Sequence, residues 1–191
     1  ATILTTTTYK KEMLINGIPV TEEYNNNDIE TIFIPLLERL TALQKEQGRR
    51  VIAYLAAPPG LGKTTLTKFL EALSKETEGI TPIQAAGMDG FHHYASYLKS
   101  HTTMRDGEEI LLNNIKGAPE TFDAERLAVC IKRLTVEPEL MWPDYDRTLH
   151  DVVDEGYILS GDIILLEGNY LLLSDPRWKS LTEYADYTIY A

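Results

Sequence analysis

Val51-Ile52-Ala53-Tyr54-Leu55-Ala56-Ala57-Pro58-Pro59-Gly60-Leu61-Gly62-Lys63-Thr64-Thr65 is the stretch that decides the fold. Its first six residues are a nearly all-apolar run between Arg49-Arg50 and Pro58-Pro59-Gly60, the pattern of a strand buried on both faces. Leu66, Phe69, Leu70 and Leu73 then recur at helical spacing toward Gly79. Between strand and helix, Gly60 and Gly62 permit backbone conformations that aim several N–H groups at one anion. A helix over 63–78 turns its positive end toward the same point. The spacing is that of a phosphate-binding loop, with Ala57 standing where a first glycine is usual. It assigns Pro58, Pro59, Gly60, Leu61, Gly62, Lys63, Thr64 and Thr65 to a nucleotide. Lys63 reaches the β- and γ-phosphates, and the Thr64 hydroxyl is a ligand for Mg2+.

On either side of this stretch the chain alternates strands with helices. Ile163-Ile164-Leu165-Leu166 reads as a second buried strand, Pro82–Met88 and Tyr187–Tyr190 as two more, and Asp123 caps a helix reaching Leu134. Strands alternating with helices call for a parallel α/β sheet. Upstream, Met13-Leu14-Ile15 and Ile18-Pro19-Val20 flank Asn16-Gly17, a hairpin signal. Asn27 and Glu30 have capping-box spacing ahead of a helix whose apolar positions run from Ile29 to Leu43, and Pro35 should kink or split that helix. The expected division is a hairpin extension over 1–27 and a catalytic-type domain over 28–191. Two connections, 89–122 and 135–161, are long enough to build a site or a lid.

Ligands of open α/β sheets lie at the carboxyl ends of strands. One such end is Leu166-Glu167-Gly168, where Glu167 can hold Mg2+ or its waters. Another is Met88-Asp89-Gly90-Phe91-His92-His93, where Asp89 can orient an alcohol and accept its proton, or else cap a helix beginning at Phe91. His92 and His93 are adjacent, point apart and have no third partner at metal spacing. Cys130 falls on the apolar face of the 123–134 helix and reads as core.

The chain has 191 residues, 18 basic and 29 acidic, for a net charge of −11. The acidic balance argues against non-specific nucleic-acid binding. A single cysteine excludes a disulfide framework and fits a reducing, cytoplasmic setting, and no apolar run is long enough for a membrane helix. Partners are expected to be small molecules. The apolar hairpin needs cover from its own domain or from a second copy of the chain, as in a homodimer.

Ala57–Thr65, Met-Asp-Gly-Phe-His at 88–92 and Leu-Leu-Glu-Gly-Asn-Tyr at 165–170 together resemble the phosphoribulokinase/uridine kinase family, which includes bacterial pantothenate kinases. Lys116-Gly117-Ala118-Pro119-Glu120-Thr121-Phe122-Asp123 is similar to a narrower branch of sugar or nucleoside kinase-like proteins. Pro143-Asp144-Tyr145-Asp146-Arg147 resembles a segment lining the acceptor pocket of uridine kinases. The resemblance implies a three-layer P-loop α/β sandwich and ATP with Mg2+. It also implies phosphoryl transfer to a hydroxyl of a nucleoside, pantothenate-like molecule or sugar. Lys63 and Asp89 would be catalytic, and Thr64 and Glu167 would support the metal. Acceptor candidates are Phe91, His92, Arg105, Lys116, Tyr145, Asp146 and Arg147. The rival expectation is an NTPase or nucleotide-binding module without an alcohol acceptor. Family members continue into a lid helix and a last strand, so these 191 residues are expected to lack both.

Overall fold

A computed structural model of the chain describes residues 8–15, 18–57 and 62–190, with side chains from Tyr24 onward. The elements in chain order begin with a hairpin of β1 (Thr8–Ile15) and β2 (Ile18–Asn25), paired antiparallel with Ile15 opposite Ile18. The Asn16-Gly17 turn itself lies outside the described residues. A helix follows in three pieces, α1 (Asn26–Asp28), a π-helical turn (Ile29–Phe33) and α2 (Ile34–Gln47). The expected kink at Pro35 takes the form of that wide turn. Proline cannot donate the regular backbone bond, and the Ile34 N–H bonds back five residues to Ile29 O instead. The cap is Asn25, two residues earlier than the expected Asn27. Asn25 is extended, and its side-chain oxygen accepts from the Asn27 N–H at 2.7 Å.

Next come β3 (Val51–Ala56), α3 (Lys63–Glu76) and β4 (Ile83–Gly87). The first long connection contains α4 (Ala95–Leu98) and a small hairpin of β5 (Thr102–Arg105) and β6 (Glu108–Leu111). Then α5 (Ala124–Leu134) is capped by Asp123, whose carboxylate accepts from the Arg126 N–H at 3.1 Å. The second long connection is a bulged hairpin of β7 (Leu140–Asp146) and β8 (Asp151–Leu159). The chain closes with β9 (Ile163–Glu167) and β10 (Tyr187–Tyr190).

The main sheet is wholly parallel in the order β10-β3-β9-β4. Alternation along its strands separates two cores. Ile52, Tyr54, Ile164 and Leu166 face α5, Trp142 and Trp178, while Val51, Ala53, Leu55, Ile163 and Leu165 face α2 and α3. The molecule is thus a three-layer α/β sandwich, as expected. Among the described residues no helix is long and apolar enough to cross a membrane.

β4 is an edge strand, and side chains cover its outward N–H groups. Ile83 N donates to Ser74 Oγ (2.9 Å), Ala85 N to Glu71 Oε2 (2.6 Å) and Gly87 N to the Tyr157 hydroxyl (3.1 Å). Trp142 Nε1 donates to Gly87 O at 2.8 Å, so facing residues of β7 and β8 grip the end of the strand that carries Asp89. Gly90 is obligatory beside this grip, because a Cβ there would overlap the Pro143 backbone.

Candidate active site

Strand register brings the site together. Glu167, last residue of β9, lies level with Leu55 of β3 and Gly87 of β4. The three strands that lead to the phosphate loop, to Asp89 and to Glu167 therefore end side by side. Gly62 holds φ +71°, a left-handed conformation that glycine adopts without strain, and α3 starts directly after it with Lys63. Pro58, Pro59, Gly60 and Leu61 lie outside the described residues. The Thr64 hydroxyl donates to Glu167 Oε1 at 2.8 Å. A cleft of about 250 Å³ is bordered by Gly62, Lys63, Thr64, Thr65, Asp89, Glu167 and Asn169. Burial pushes the Glu167 carboxyl above the usual carboxylate range; the Thr64 bond opposes this shift and the Asp89 charge adds to it.

Asp89 opens a short 3-10 turn and is exposed. Among the described residues no hydrogen bond reaches its carboxylate; its backbone oxygen accepts from His92 N at 3.3 Å and contacts His92 Nδ1 at 2.8 Å. The helix-cap alternative is therefore not realised: the following helix, α4, has its Ala95 N–H bound by Asp151 at 2.9 Å. Asp89 instead borders three cavities. One is the cleft over Lys63. The second, about 270 Å³, also touches Thr64, Lys68, Asp144, Tyr157 and Glu167. The third, about 390 Å³, is lined by His92, Lys116, Gly117, Tyr145, Arg147 and His150.

The acceptor candidates divide on this geometry. His92, Lys116, Tyr145 and Arg147 share the third cavity. Lys116 donates to the Tyr145 hydroxyl and also stands over that ring, 4.6 Å from its centroid. Phe91, expected at the acceptor, is instead a core residue: it is fully buried, 4.9 Å edge-on from Trp142, and borders none of the three cavities. Arg105 is also set apart. It makes a two-bond pair with Glu120 (2.7 and 2.9 Å) on the β5–β6 hairpin and borders none of the three cavities. Asp146 spends its carboxylate on the Thr148 and Leu149 N–H groups (2.8 and 2.9 Å), shaping the β7–β8 turn.

Tyr157, Lys68 and His150 carry no sequence signal for the site, and Asp144 enters it only as part of the 143–147 segment. Tyr157 sits in β8, where the acidic run Asp154-Glu155 and Gly156 interrupt any apolar alternation that would mark a strand. Burial raises its hydroxyl pKa well above that of free tyrosine, so it stays protonated, its oxygen accepting from the Gly87 N–H.

The donor set suits a hard, water-keeping cation. One hydroxyl and one carboxylate, hydrogen-bonded and open to a cleft, are what Mg2+ shares with nucleotide phosphates, and among the described residues no cluster of three His, Cys, Asp or Glu competes for a metal. The histidine pair has split, with the His92 ring against Phe122 (4.0 Å) and the His93 ring stacked on Tyr97 (4.1 Å).

The glycine-punctuated turn, the helix starting at Lys63 and acidic strand ends on a parallel sheet define a P-loop α/β protein. No family model matches the chain. It is 40% identical over 182 residues to YggC of Escherichia coli K12, itself described as uncharacterized, covering 95% of this chain and 73% of that one. It is 33% identical over 160 residues to a Schizosaccharomyces pombe protein named "Putative uridine kinase", covering 81% of this chain and 65% of that one. Among solved structures, the "putative fructose transport system kinase" of Silicibacter sp. TM1040 superposes with a TM-score of 0.64 at 29% identity, over 81% of this chain and 73% of that one. The chain thus spans about two thirds to three quarters of the length of these relatives. It belongs to the phosphoribulokinase/uridine kinase-like family of P-loop kinases.

Proposed function

We propose that the protein transfers the γ-phosphoryl group of ATP to a hydroxyl of a small metabolite. The observation carrying this reading is the position of Asp89, a carboxylate shared by the cleft over Lys63 and the cavity lined by Lys116, Tyr145 and Arg147. A water-activating NTPase has no need for a second cavity opening on the same carboxylate.

Thr64 and Glu167 would hold Mg2+, which when bound supplies charge neutralisation at the β- and γ-phosphates. The Lys63 ammonium draws the same oxygens, and N–H groups of the first turn of α3 face the phosphates. Asp89 accepts a hydrogen bond from the acceptor hydroxyl and takes its proton as the new O–P bond forms. The bond from γ-phosphorus to the β–γ bridging oxygen breaks, and ADP leaves with that electron pair. Asp89 then returns its proton to solvent. Tyr157, neutral and anchored on Gly87, keeps the β4 terminus at fixed distance from Glu167. Such a reaction depends on positioning and charge, which rigid strand ends provide.

The test is ADP formation by the full chain with ATP–Mg2+ and, in turn, a sugar, a sugar phosphate, pantothenate and uridine. Acceptor-dependent ADP release with a phosphorylated product is expected. ADP release at one rate with and without every acceptor would overturn the reading in favour of an NTPase.

A further inference from the structure

The cavity beyond Asp89 is cationic on an otherwise acidic chain. Acidic side chains outnumber basic ones 29 to 18. Arg49, Arg105, Arg126 and Arg133 each pair with one. Arg50 and Arg177 are satisfied by backbone carbonyls. Lys116 and Arg147 have no carboxylate partner among the described residues, and, unlike the other cations without one, both line this third cavity beside Asp89. Lys116 donates to the Tyr145 hydroxyl and, at 3.4 Å, to His150 O, both uncharged. Arg147 makes no ion pair among the described residues, although Asp144, Asp146 and Glu155 line a neighbouring cavity on its other side. Asp146 Oδ1 accepts from the Thr148 and Leu149 N–H groups and Asp144 Oδ1 from the Tyr145 N–H at 2.8 Å, and neither carboxylate forms an ion pair with Arg147 among the described residues.

The same cavity offers little to a nucleobase, which needs an open aromatic face. Tyr145 carries the Lys116 ammonium over its ring and has the His92 ring 5.5 Å away. Phe91 is buried in the core. Tyr94 is tied to Asp154 at 2.6 Å and lies beside Arg126, outside this cavity.

Resting on the kinase reading above, we infer that the acceptor is a hydroxyl compound bearing an oxyanion group, a phosphate ester or a carboxylate, held by Lys116 and Arg147 while its hydroxyl lies against Asp89. Lys116 is a point charge already aimed by Tyr145, and Arg147 adds a planar fork matched to two oxygens. Burial lowers the His92 pKa, so that ring stays neutral near pH 7 and the cationic charge rests on Lys116 and Arg147. The site then selects by charge: an uncharged sugar or nucleoside leaves both cations without a partner, and an anion-bearing acceptor satisfies both.

The test is equilibrium binding to the full chain in two matched pairs, ribose against ribose 5-phosphate and glucose against gluconate, with uridine as a fifth probe. Each is measured with a non-hydrolysable ATP analogue and Mg2+, and again without. At least one anionic probe should bind roughly tenfold or more tightly than its neutral partner and than uridine. Arg147→Ala and Lys116→Met should each remove most of that margin, and Arg147→Lys should restore part of it. If no anionic probe outbinds its neutral partner, if uridine binds as tightly, or if the preference survives both substitutions, the inference falls. Anion binding that meets these criteria without any phosphorylated product when ATP–Mg2+ is supplied would overturn the kinase reading alone.

Discussion

Glu167 is the residue on which burial and chemistry pull in opposite directions. Its carboxyl is held up in pKa by burial at the junction of three strand ends, yet its proposed role with Mg2+ requires the ionised form. A carboxyl whose folded pKa exceeds its unfolded value binds protons more tightly when folded. Stability is therefore lost as pH rises from about 4.5, the ordinary value, through the raised folded value. Glu167→Gln removes that loss. Its melting midpoint should exceed that of the wild type at pH 8, with the gap shrinking toward pH 5, while Mg2+-dependent nucleotide affinity falls. Thermal scans across that range check it; a gap that does not depend on pH would contradict the origin assigned to the shift. Lys63→Ala belongs to the same scale. Loss of a charge-assisted contact should weaken ATP–Mg2+ binding by about tenfold or more in calorimetry, with circular dichroism still that of a folded protein.

At the level of elements, the parallel sheet was legible because its two central strands are short apolar runs bounded by turn residues. Val51–Ala56 and Ile163–Glu167 are buried along nearly their whole length, and a strand with no wet face leaves an unmistakable pattern. The helix at 124–134 was legible for the same reason, with an Asp cap and one apolar stripe. The hairpins β5–β6 and β7–β8 were not. They are half-exposed, Pro143 interrupts β7, and the bulge between Trp142 and Asp144 breaks the alternation that would have revealed it. Of the third cavity, His92, Lys116, Tyr145 and Arg147 are named through the family resemblance, but that they meet, and that His150 joins them, follows only from the placement of those connections. Arg50 shows how distant elements are joined. Its guanidinium donates to Leu134 O (2.7 Å), Glu137 O (2.6 Å), Pro138 O (2.6 Å) and Gly161 O (2.8 Å), tying the end of α5 to the turn before β9. Arg50→Ala leaves these carbonyls unpartnered and should cost about 2–4 kcal/mol in urea unfolding. A loss below about 0.5 kcal/mol would show that water substitutes for the side chain.

Over the whole molecule, two cores share one sheet, and the N-terminal hairpin adds to the second of them. Tyr24 of β2 stacks on Phe69 of α3 with ring centroids 3.8 Å apart, and Phe33 meets the same pair edge-on. Tyr24→Ala should therefore lower the stability of the entire domain by about 2–4 kcal/mol, in a single transition. A second, earlier transition would mean that the hairpin melts by itself. The carboxyl edge of the sheet, free of such packing duties, is where the phosphate cleft and the cationic cavity meet at Asp89. The central claim is that this carboxylate takes the proton of an acceptor alcohol, and Asp89→Asn tests it most directly. The substitution keeps size and shape but removes the charge and the basic site. With the acceptor returned by the ATP-consumption screen, single-turnover transfer should fall by about 10²–10⁴-fold, with ATP–Mg2+ affinity and melting midpoint close to those of the wild type. Transfer at the wild-type rate by the folded Asn variant would contradict the account.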